Sequence, residues 1–371
     1  MNEQSSLCVL FLCDYSPAYG GNFVPSLLAL EKAVTAQNGR CVFAFPQAAA
    51  AHRWFKQLQE KGKTVVAVNV HQGRLALART VAALVKEHHV TLIHSHFFPM
   101  LPLEIFSWFH PNTRVLIHLH SDWSLGKTSW KQKLKFFLLC KLFAVWVRFL
   151  SVSPALVAYN PSKITYVPNA LATDRLPHTP VDLAALREKL GVQAGETLCE
   201  IFAWSPEAKG LDIAVKAVKQ AREKGARVKL AVVHGDALPP EKLRAWVAAR
   251  PGCGGADDFV YYLPPTEDVF GYHQAADILI SASRSEGFSY SILEMLSLGK
   301  RAVVSDIPGV AWSKAFAGVF PFPSENVPAA AEALQKALAA PARNATAAQQ
   351  IEKQYNIANW TAAVTAQYNN F

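Results

Sequence analysis

The stretch ADILISASRSEGFSYSILEMLSLGK, residues 276–300, contains an apolar run, a glycine and an amphipathic run in direct succession. Its first part, 276–281, predicts a buried strand, and the apolar residues after Tyr290 recur at roughly helical spacing. Gly287 lies between the two, where glycine permits a tight turn and a close approach of backbone to a ligand. Backbone N–H groups at a helix start attract anions. The amides expected to face such an anion belong to Phe288, Ser289 and Tyr290.

Two acidic residues, Glu286 and Glu294, lie in this stretch with seven residues between them. Their E-x7-E pattern, followed by Leu298-Gly299-Lys300, resembles the signature of retaining glycosyltransferases of the two-domain GT-B architecture, family 4 in particular. Two glutamates alone would equally fit a pair of solvated side chains. Further pieces of the sequence follow the family's order along nearly the whole chain, and they favour the resemblance.

The resemblance implies a donor site in the second half of the chain. Glu294 would accept hydrogen bonds from ribose hydroxyls, since a carboxylate offers two acceptor oxygens, and Glu286 would lie beside the transferred sugar and its leaving phosphate. Lys209, in AWSPEAKGLD, matches the family lysine that holds the diphosphate. The family's arginine is missing near Trp204. Either Arg284 substitutes for it, or Lys209 and the backbone amides act alone.

In the first half, the resemblance implies both a glycine loop and an acceptor site. Gly20 and Gly21 match the glycine-rich loop beside the donor phosphates, although a plain turn is the alternative. His120 matches the histidine beside the transferred sugar, and His96 the one that lines the acceptor cleft; Asp122 joins the expected acceptor-binding residues. We expect Lys209, Glu286 and His120 to be the catalytic residues.

Two H-x-H pairs, His94/His96 and His118/His120, also raise the alternative of a metal-dependent hydrolase. Residues i and i+2 share one strand face, so four imidazoles could surround a zinc ion. H-x-H pairs occur in the family at these places without metal, and we interpret His94 and His118 as core histidines. The sequence contains no D-x-D motif, and neither a metal nor another cofactor is expected.

Positive charge is concentrated in the first half of the chain. Residues 1–170 hold 17 Lys+Arg and 7 Asp+Glu, whereas residues 171–371 hold 20 and 21, so the net charge of +9 divides into +10 and −1. A polyanionic partner is therefore expected for the first half. The segment 127–150 alternates basic and bulky apolar residues, which favours either docking on an anionic membrane surface or ordinary packing. No nucleic-acid-binding signature is present.

The order of strand-like and helical runs predicts an α/β fold with two parallel sheets covered by helices. The resemblance implies the GT-B arrangement, two Rossmann-like, doubly wound parallel-sheet domains facing a central cleft. The first domain is expected over 1–170 and the second over 171–355, after a Pro-rich hinge at 168–180. The resemblance implies that a C-terminal helix at about 356–371 completes the first domain. Six strands are predicted in the first sheet and five in the second. The six cysteines lack C-x-x-C spacing and, without a signal peptide or a clean membrane span, favour a cytoplasmic protein, peripheral on the membrane at most.

The expected function is retaining transfer of a sugar from a UDP- or GDP-sugar to a glycan, lipid-linked or protein-linked acceptor, as in bacterial surface polysaccharide, glycolipid or glycoprotein glycan synthesis. Alternatives on the same fold are a sugar-nucleotide epimerase or a glycan phosphorylase. The metal hydrolase and a basic module that only binds polyanions are rivals of other classes.

Overall fold

The computed structural model describes residues 7–121, 130, 134, 137–138, 146–157, 160–172, 182–235, 238–264, 266 and 269–370. The chain divides into two compact units, one formed by Met1–Ala172 with Ile357–Phe371 and the other by Thr173–Asn356. Each unit is built around its own sheet, and every strand pair in both sheets is parallel. The parallel α/β class expected from the alternating runs is confirmed.

The first sheet has seven strands in the order β3-β2-β1-β4-β5-β6-β7. Its strands are β1 Cys8–Cys13, β2 Arg40–Pro46, β3 Val65–Val68, β4 Leu92–His96, β5 Arg114–Leu119, β6 Val147–Ser151 and β7 Ile164–Tyr166. The helices described in this unit are Phe23–Thr35, Arg53–Glu60, Arg74–His88, Met100–Phe109, Pro154–Val157 and Ile357–Ala366. A short 3-10 helix, Gln47–Ala51, follows β2.

The second sheet has six strands in the order β10-β9-β8-β11-β12-β13. Its strands are β8 Thr197–Phe202, β9 Val228–Val233, β10 Val260–Leu263, β11 Ile278–Ser281, β12 Arg301–Asp306 and β13 Val319–Pro323. Its helices are Leu183–Lys189, Leu211–Glu223, Pro240–Ala248, Val269–Ala275, Tyr290–Ser297, Val327–Ala339 and Ala345–Gln354, with 3-10 helices at Ala256–Asp258 and Pro308–Ala315.

Hydrophobic cores lie on both faces of the first sheet, and its central strands are therefore mostly apolar. In β1, alternate residues enter different cores: Leu10 packs into one cluster, and Phe11 into the cluster on the opposite face. The second cluster includes Trp360 and Val364 from the Ile357–Ala366 helix. Continuous burial of this kind is typical of parallel sheets with helices on both sides.

Two strands are absent from the sequence prediction, β7 and β13, and both lie at an edge of their sheet. β13 reads VFPFP, and its two prolines argue against a central strand but are tolerated at an edge. β7 has only three residues, two of them exposed.

In each sheet the strand order reverses at one point, between β1 and β4 in the first and between β8 and β11 in the second. Loops that leave the carboxyl ends of such strand pairs diverge and open a crevice, where open α/β sheets bind their ligands. The fold therefore directs attention to the loops after β1, β4, β8 and β11.

Candidate functional site

The loops after β8 and β11 bring Lys209 and Glu286 together. The Lys209 ammonium forms a short ion pair with Oε1 of Glu286, and Ser283 Oγ donates to the same oxygen at 3.0 Å. Both charged side chains are largely buried, at 14% and 12% exposure. They line a small hollow together with Ser283 and Ser291. An ammonium group in a hollow at the carboxyl edge of a parallel sheet is suited to a phosphate group.

Two glycines allow these loops to approach each other at the backbone. Gly210, with φ +66°, begins the helix Leu211–Glu223, and a Cβ there would overlap the carbonyl oxygen of Ala282. A Cβ on Gly309 would likewise overlap the carbonyl oxygen of Glu286. The position of the Glu286 loop therefore depends on the absence of two side chains.

Glu294 lies in the Tyr290–Ser297 helix and is joined to two buried groups that the sequence analysis did not single out. Its Oε2 lies 3.0 Å from Nε2 of His273, whose Nδ1 makes a short contact with Oε1 of Glu200. His273 is fully buried. Burial lowers the pKa of His273, but the two carboxylates outweigh that effect and raise it to about 9. The imidazole is therefore a cation at neutral pH, held between two carboxylates.

Arg284, one of the two explanations considered for the missing family arginine, is engaged by acidic partners. Its guanidinium donates two parallel hydrogen bonds to Asp212, at 3.0 and 3.1 Å, and a third to Glu325 at 3.2 Å. Another bond goes to the Glu207 carbonyl. The hydrogen bonds to Asp212 raise the pKa of Arg284, although burial opposes them. Arg284 and Lys209 are thus both paired with acidic side chains in this structure.

Trp204, at the place of the family arginine, is 64% exposed, and the Lys209 ammonium lies 5.0 Å from its ring centroid. A cation at that distance from an indole face is attracted by the ring. Trp204 therefore contacts Lys209 at the position where the family arginine is missing.

The turn that follows Glu286 leads into a capped helix start. Ser289 is the N-cap of Tyr290–Ser297, and its Oγ accepts a hydrogen bond from the Ile292 N–H at 3.5 Å. Phe288 is buried and stacks on Trp312 with ring centroids 4.4 Å apart. Gly287 does not adopt the left-handed conformation, and the left-handed glycines of the described chain lie elsewhere. The structure thus fixes Phe288 by packing and begins the helix at Tyr290.

In the first unit, the glycine pair follows β1 as expected. Gly21 has φ +54°, and a Cβ there would meet the Tyr15 hydroxyl at 3.2 Å. The Gly20 carbonyl accepts from the N–H of Val24 in the first turn of Phe23–Thr35. The pair therefore forms the entry to a helix at the β1/β4 reversal point.

The four histidines form one stack on a single face of the sheet. His96 and His118 are register partners on β4 and β5, and Nδ1 of His96 lies 2.9 Å from Nε2 of His120. Nδ1 of His94 lies 2.9 Å from the Tyr368 hydroxyl. Burial lowers the pKa of all four imidazoles, that of His118 to about 3, so they are neutral at pH 7. His96 contacts the catalytic candidate His120 directly.

Ring geometry tests the metal alternative. One ring nitrogen from each of His94, His96 and His118 lies within 4.8 Å of the others. However, the His94 and His118 rings are stacked with 7° between their planes, and His118 and His120 with 21°. A zinc ion needs lone pairs that converge on one point about 2.0–2.1 Å away, whereas parallel rings direct theirs side by side. The arrangement fits packed core imidazoles better than a metal centre.

Three expectations fall wholly or partly outside the described residues. Asp122 lies outside them, as do most residues of the basic segment 127–150 and of the hinge 168–180. Arg148, included in that segment, belongs to strand β6 and donates to the Ser162 carbonyl at 2.7 Å. In the part of the chain that the structure describes, no helix is both long and apolar enough to cross a membrane.

Comparison with known proteins finds a family match in the second unit. Residues 200–340 match the family described as Glycosyl transferases group 1. These residues lie within the second unit, which is therefore similar to group 1 glycosyltransferases. The matched range contains Lys209, Glu286 and Glu294, and the enzyme is accordingly one that depends on a nucleotide sugar. Among curated proteins, none matches the sequence.

Solved structures resemble this chain over nearly its full length. A glycosyltransferase from Rickettsia africae is 16% identical with a TM-score of 0.79, and the match covers 99% of this chain and 98% of that one. HepE from Anabaena, in complex with UDP and glucose, is 19% identical with a TM-score of 0.76, covering 98% and 100%. WaaG, a glycosyltransferase involved in lipopolysaccharide biosynthesis, is 17% identical with a TM-score of 0.61, covering 96% and 98%. At these identities the likeness establishes the GT-B fold.

Proposed function

We propose that this glycosyltransferase moves a hexose from a nucleoside diphosphate sugar, a UDP- or GDP-sugar, to an acceptor hydroxyl with retention of configuration. The observation that carries the proposal is the buried Lys209–Glu286 pair at the β8/β11 reversal point, with Glu294 on the helix that follows. HepE, which shares the fold, is a complex with UDP and glucose, and this supports a UDP-sugar as the first donor to test.

The second unit supplies the groups for the donor. Lys209 would stabilise the negative charge that develops on the leaving diphosphate, and the backbone amides of 287–290 would share that task. Glu294 would accept from the ribose hydroxyls. Glu286 holds Lys209 in place in the absence of substrate and would lie beside the transferred sugar.

In the first unit, Gly20 and Gly21 would lie beside the donor phosphates, His120 beside the sugar and acceptor, and His96 and Asp122 on the acceptor. Attack on the face from which the diphosphate departs, with the leaving phosphate taking the acceptor's proton, gives retention. That step requires no nucleophile from the protein. His96 adds a constraint, because its contact with His120 fixes the orientation of that ring.

For the acceptor, we propose a bacterial surface polysaccharide, a glycolipid or a protein-linked glycan. WaaG, named for lipopolysaccharide biosynthesis, supports a lipid-linked acceptor. An anionic membrane surface is the partner proposed for segment 127–150. Its described residues Trp130, Leu134 and Phe137 are each exposed and helical.

The decisive experiment is a thermal-shift panel of UDP-, GDP- and ADP-sugars on three proteins: wild type, Lys209→Ala and Glu294→Gln. A correct donor at a hundredfold excess over Kd stabilises the wild type by roughly 2.7 kcal/mol. Both variants should lose that shift and turnover while remaining folded, although the loss of one partner from a buried ion pair should lower the melting temperature without ligand. Lys242→Ala, an exposed lysine of the same unit, is the matched control and should behave as wild type.

Two results would contradict the proposal. Full activity in both site variants would remove Lys209 and Glu294 from the donor site. Consumption of the donor sugar nucleotide with no acceptor present, giving an isomeric nucleotide sugar, would instead indicate an epimerase on the same fold.

A further inference from the structure

The group formed by Glu200, His273 and Glu294 joins three elements of the second unit. Glu200 lies on β8, His273 on the Val269–Ala275 helix and Glu294 on the Tyr290–Ser297 helix. Their exposed side-chain fractions are 1%, 0% and 6%. Charges at this depth are seldom retained without a partner, because their desolvation costs several kcal/mol per ion. A buried triad that ends on a proposed ligand-binding carboxylate requires an explanation beyond packing.

We propose that His273 is a positioning residue: as a buried imidazolium bridged to Glu200, it fixes the carboxylate of Glu294 in the orientation that receives the donor's ribose. This inference rests on the proposed function, since it assigns a task to the same donor site. His273 itself would touch no substrate.

The geometry limits what Glu294 can do without His273. Oε2 of Glu294 is held at 3.0 Å by Nε2, and the opposite ring nitrogen is held by Glu200, so the imidazole cannot rotate without losing both bonds. The rings of Phe202 and Phe270 pack against it, at 5.1 and 6.1 Å between centroids. A carboxylate attached to such a fixed cation keeps a single orientation, and this lowers the ordering cost of binding a ligand.

The net charge of the three side chains depends on the protonation of His273. Glu200, His273 and Glu294 carry a net charge of −1 while the imidazole is protonated, and −2 once it is neutral. The nearby Lys300 is buried and donates to the carbonyls of Gln274 and Ala276, and burial lowers its pKa to about 8. Arg187 donates to the Ala275 carbonyl and to Asp277 at the same helix end. Above about pH 9 both His273 and Lys300 are neutral, and the two carboxylates repel each other.

The test measures how strongly the full-length protein prefers a ribonucleotide over its 2′-deoxy form. UDP, GDP and ADP are titrated by calorimetry, and the best binder is compared with its 2′-deoxy counterpart. A hydrogen bond to a charged group makes roughly a tenfold to hundredfold difference in binding. We expect this preference in the wild type, its loss in Glu294→Ala and a loss of at least roughly tenfold in His273→Gln. Glu200→Gln, which keeps the hydrogen bond but not the charge, should give a partial loss.

The pH profile supplies a readout that a purely structural role would not change. In the wild type the ribose preference should fall as the pH rises through about 9, whereas in His273→Gln it should be low at every pH. His118→Gln, a buried histidine of the other unit, is the control for loss of stability and should keep the preference. If His273→Gln does not fold, Glu200→Gln decides the question alone.

The outcomes separate the two proposals. If no nucleotide binds, or if Glu294→Ala keeps the ribose preference, the proposed donor site is wrong. If Glu294→Ala loses the preference while both folded His273→Gln and Glu200→Gln retain it, the donor site stands and the positioning role of His273 is overturned.

Discussion

At the scale of single residues, Gly309 shows how the position of a functional side chain is set by a neighbour with no side chain. It belongs to the 3-10 helix Pro308–Ala315, remote in sequence from Glu286. Its Cα faces the Glu286 carbonyl so closely that a methyl group would overlap the oxygen. The E-x7-E pattern does not predict that position 309 must lack a side chain.

The first prediction is that Gly309→Ala displaces the Glu286 loop. The added Cβ would overlap the backbone carbonyl of Glu286, so the overlap can be removed only if the loop shifts. We therefore expect a loss of about 1–3 kcal/mol in the free energy of unfolding, together with loss of activity. Urea denaturation and a turnover assay measure the two effects. Gly254→Ala, where the added Cβ meets nothing within 4 Å, is the control. Equal stability and activity of the two variants would contradict the close contact between Gly309 and the Glu286 carbonyl.

Also at this scale, the sequence predicted the residues that carry a family motif, but not the buried residues that contact them. Lys209, Glu286 and Glu294 were found because family resemblance marks such residues, and the structure brings Lys209 and Glu286 into contact. His273 and Glu200 were missed, since a histidine on a short helix and a glutamate in an apolar strand carry no motif. Only the three-dimensional contact joins residues 73 and 21 positions apart. Glu200 in the otherwise apolar run TLCEIF was the one available signal.

At the scale of elements, every central strand was predicted, but only two of the four edge strands, β3 and β10. β1, β9 and β11 are buried along their whole length and are mostly apolar. The two missed edge strands carry a weaker signal, because β7 has only three residues and β13 contains two prolines. The order in which the strands pair could not be predicted, because it depends on the whole sheet and not on any one segment.

The second prediction concerns the exposed helical residues Trp130 and Phe137. The double change Trp130→Ala/Phe137→Ala should weaken binding to phosphatidylglycerol vesicles, measured by sedimentation, by roughly a hundredfold or more, because each lost apolar side chain removes about 1.5–3 kcal/mol of burial. Binding should also fall as salt rises from low ionic strength, since basic residues contribute. Leu75→Ala, an equally exposed apolar change in the same unit, is the control. Unchanged vesicle binding would favour ordinary packing of this segment.

At the scale of the whole molecule, the first unit is assembled from two separate parts of the chain. The helix Ile357–Ala366 places Trp360 and Val364 in the core of the first sheet. Beyond it, Tyr368 is buried, bonds to His94 through its hydroxyl and accepts from Arg114 at its carbonyl. The histidine stack and this returning segment thus stabilise one another.

The third prediction is that Tyr368→Phe destabilises the first unit alone. The change leaves Nδ1 of His94 without its bond in a buried site, which costs about 1–3 kcal/mol. Hydrogen exchange should accelerate in β4 and β5 and stay unchanged in β8 and β11. Tyr166→Phe, a more exposed tyrosine of the same unit, should have little effect. Equal acceleration in both sheets would show that the hydroxyl does not act locally.

This discontinuous arrangement also orders events during synthesis on the ribosome. All of Thr173–Asn356 is translated before Ile357–Phe371, so the unit that is begun first is the one that is completed last. Until the late segment arrives, nascent chains expose the apolar sheet face that Trp360 and Val364 later cover. Chaperone recruitment to stalled chains should therefore persist until codons beyond 357 have been read and their residues have left the exit tunnel.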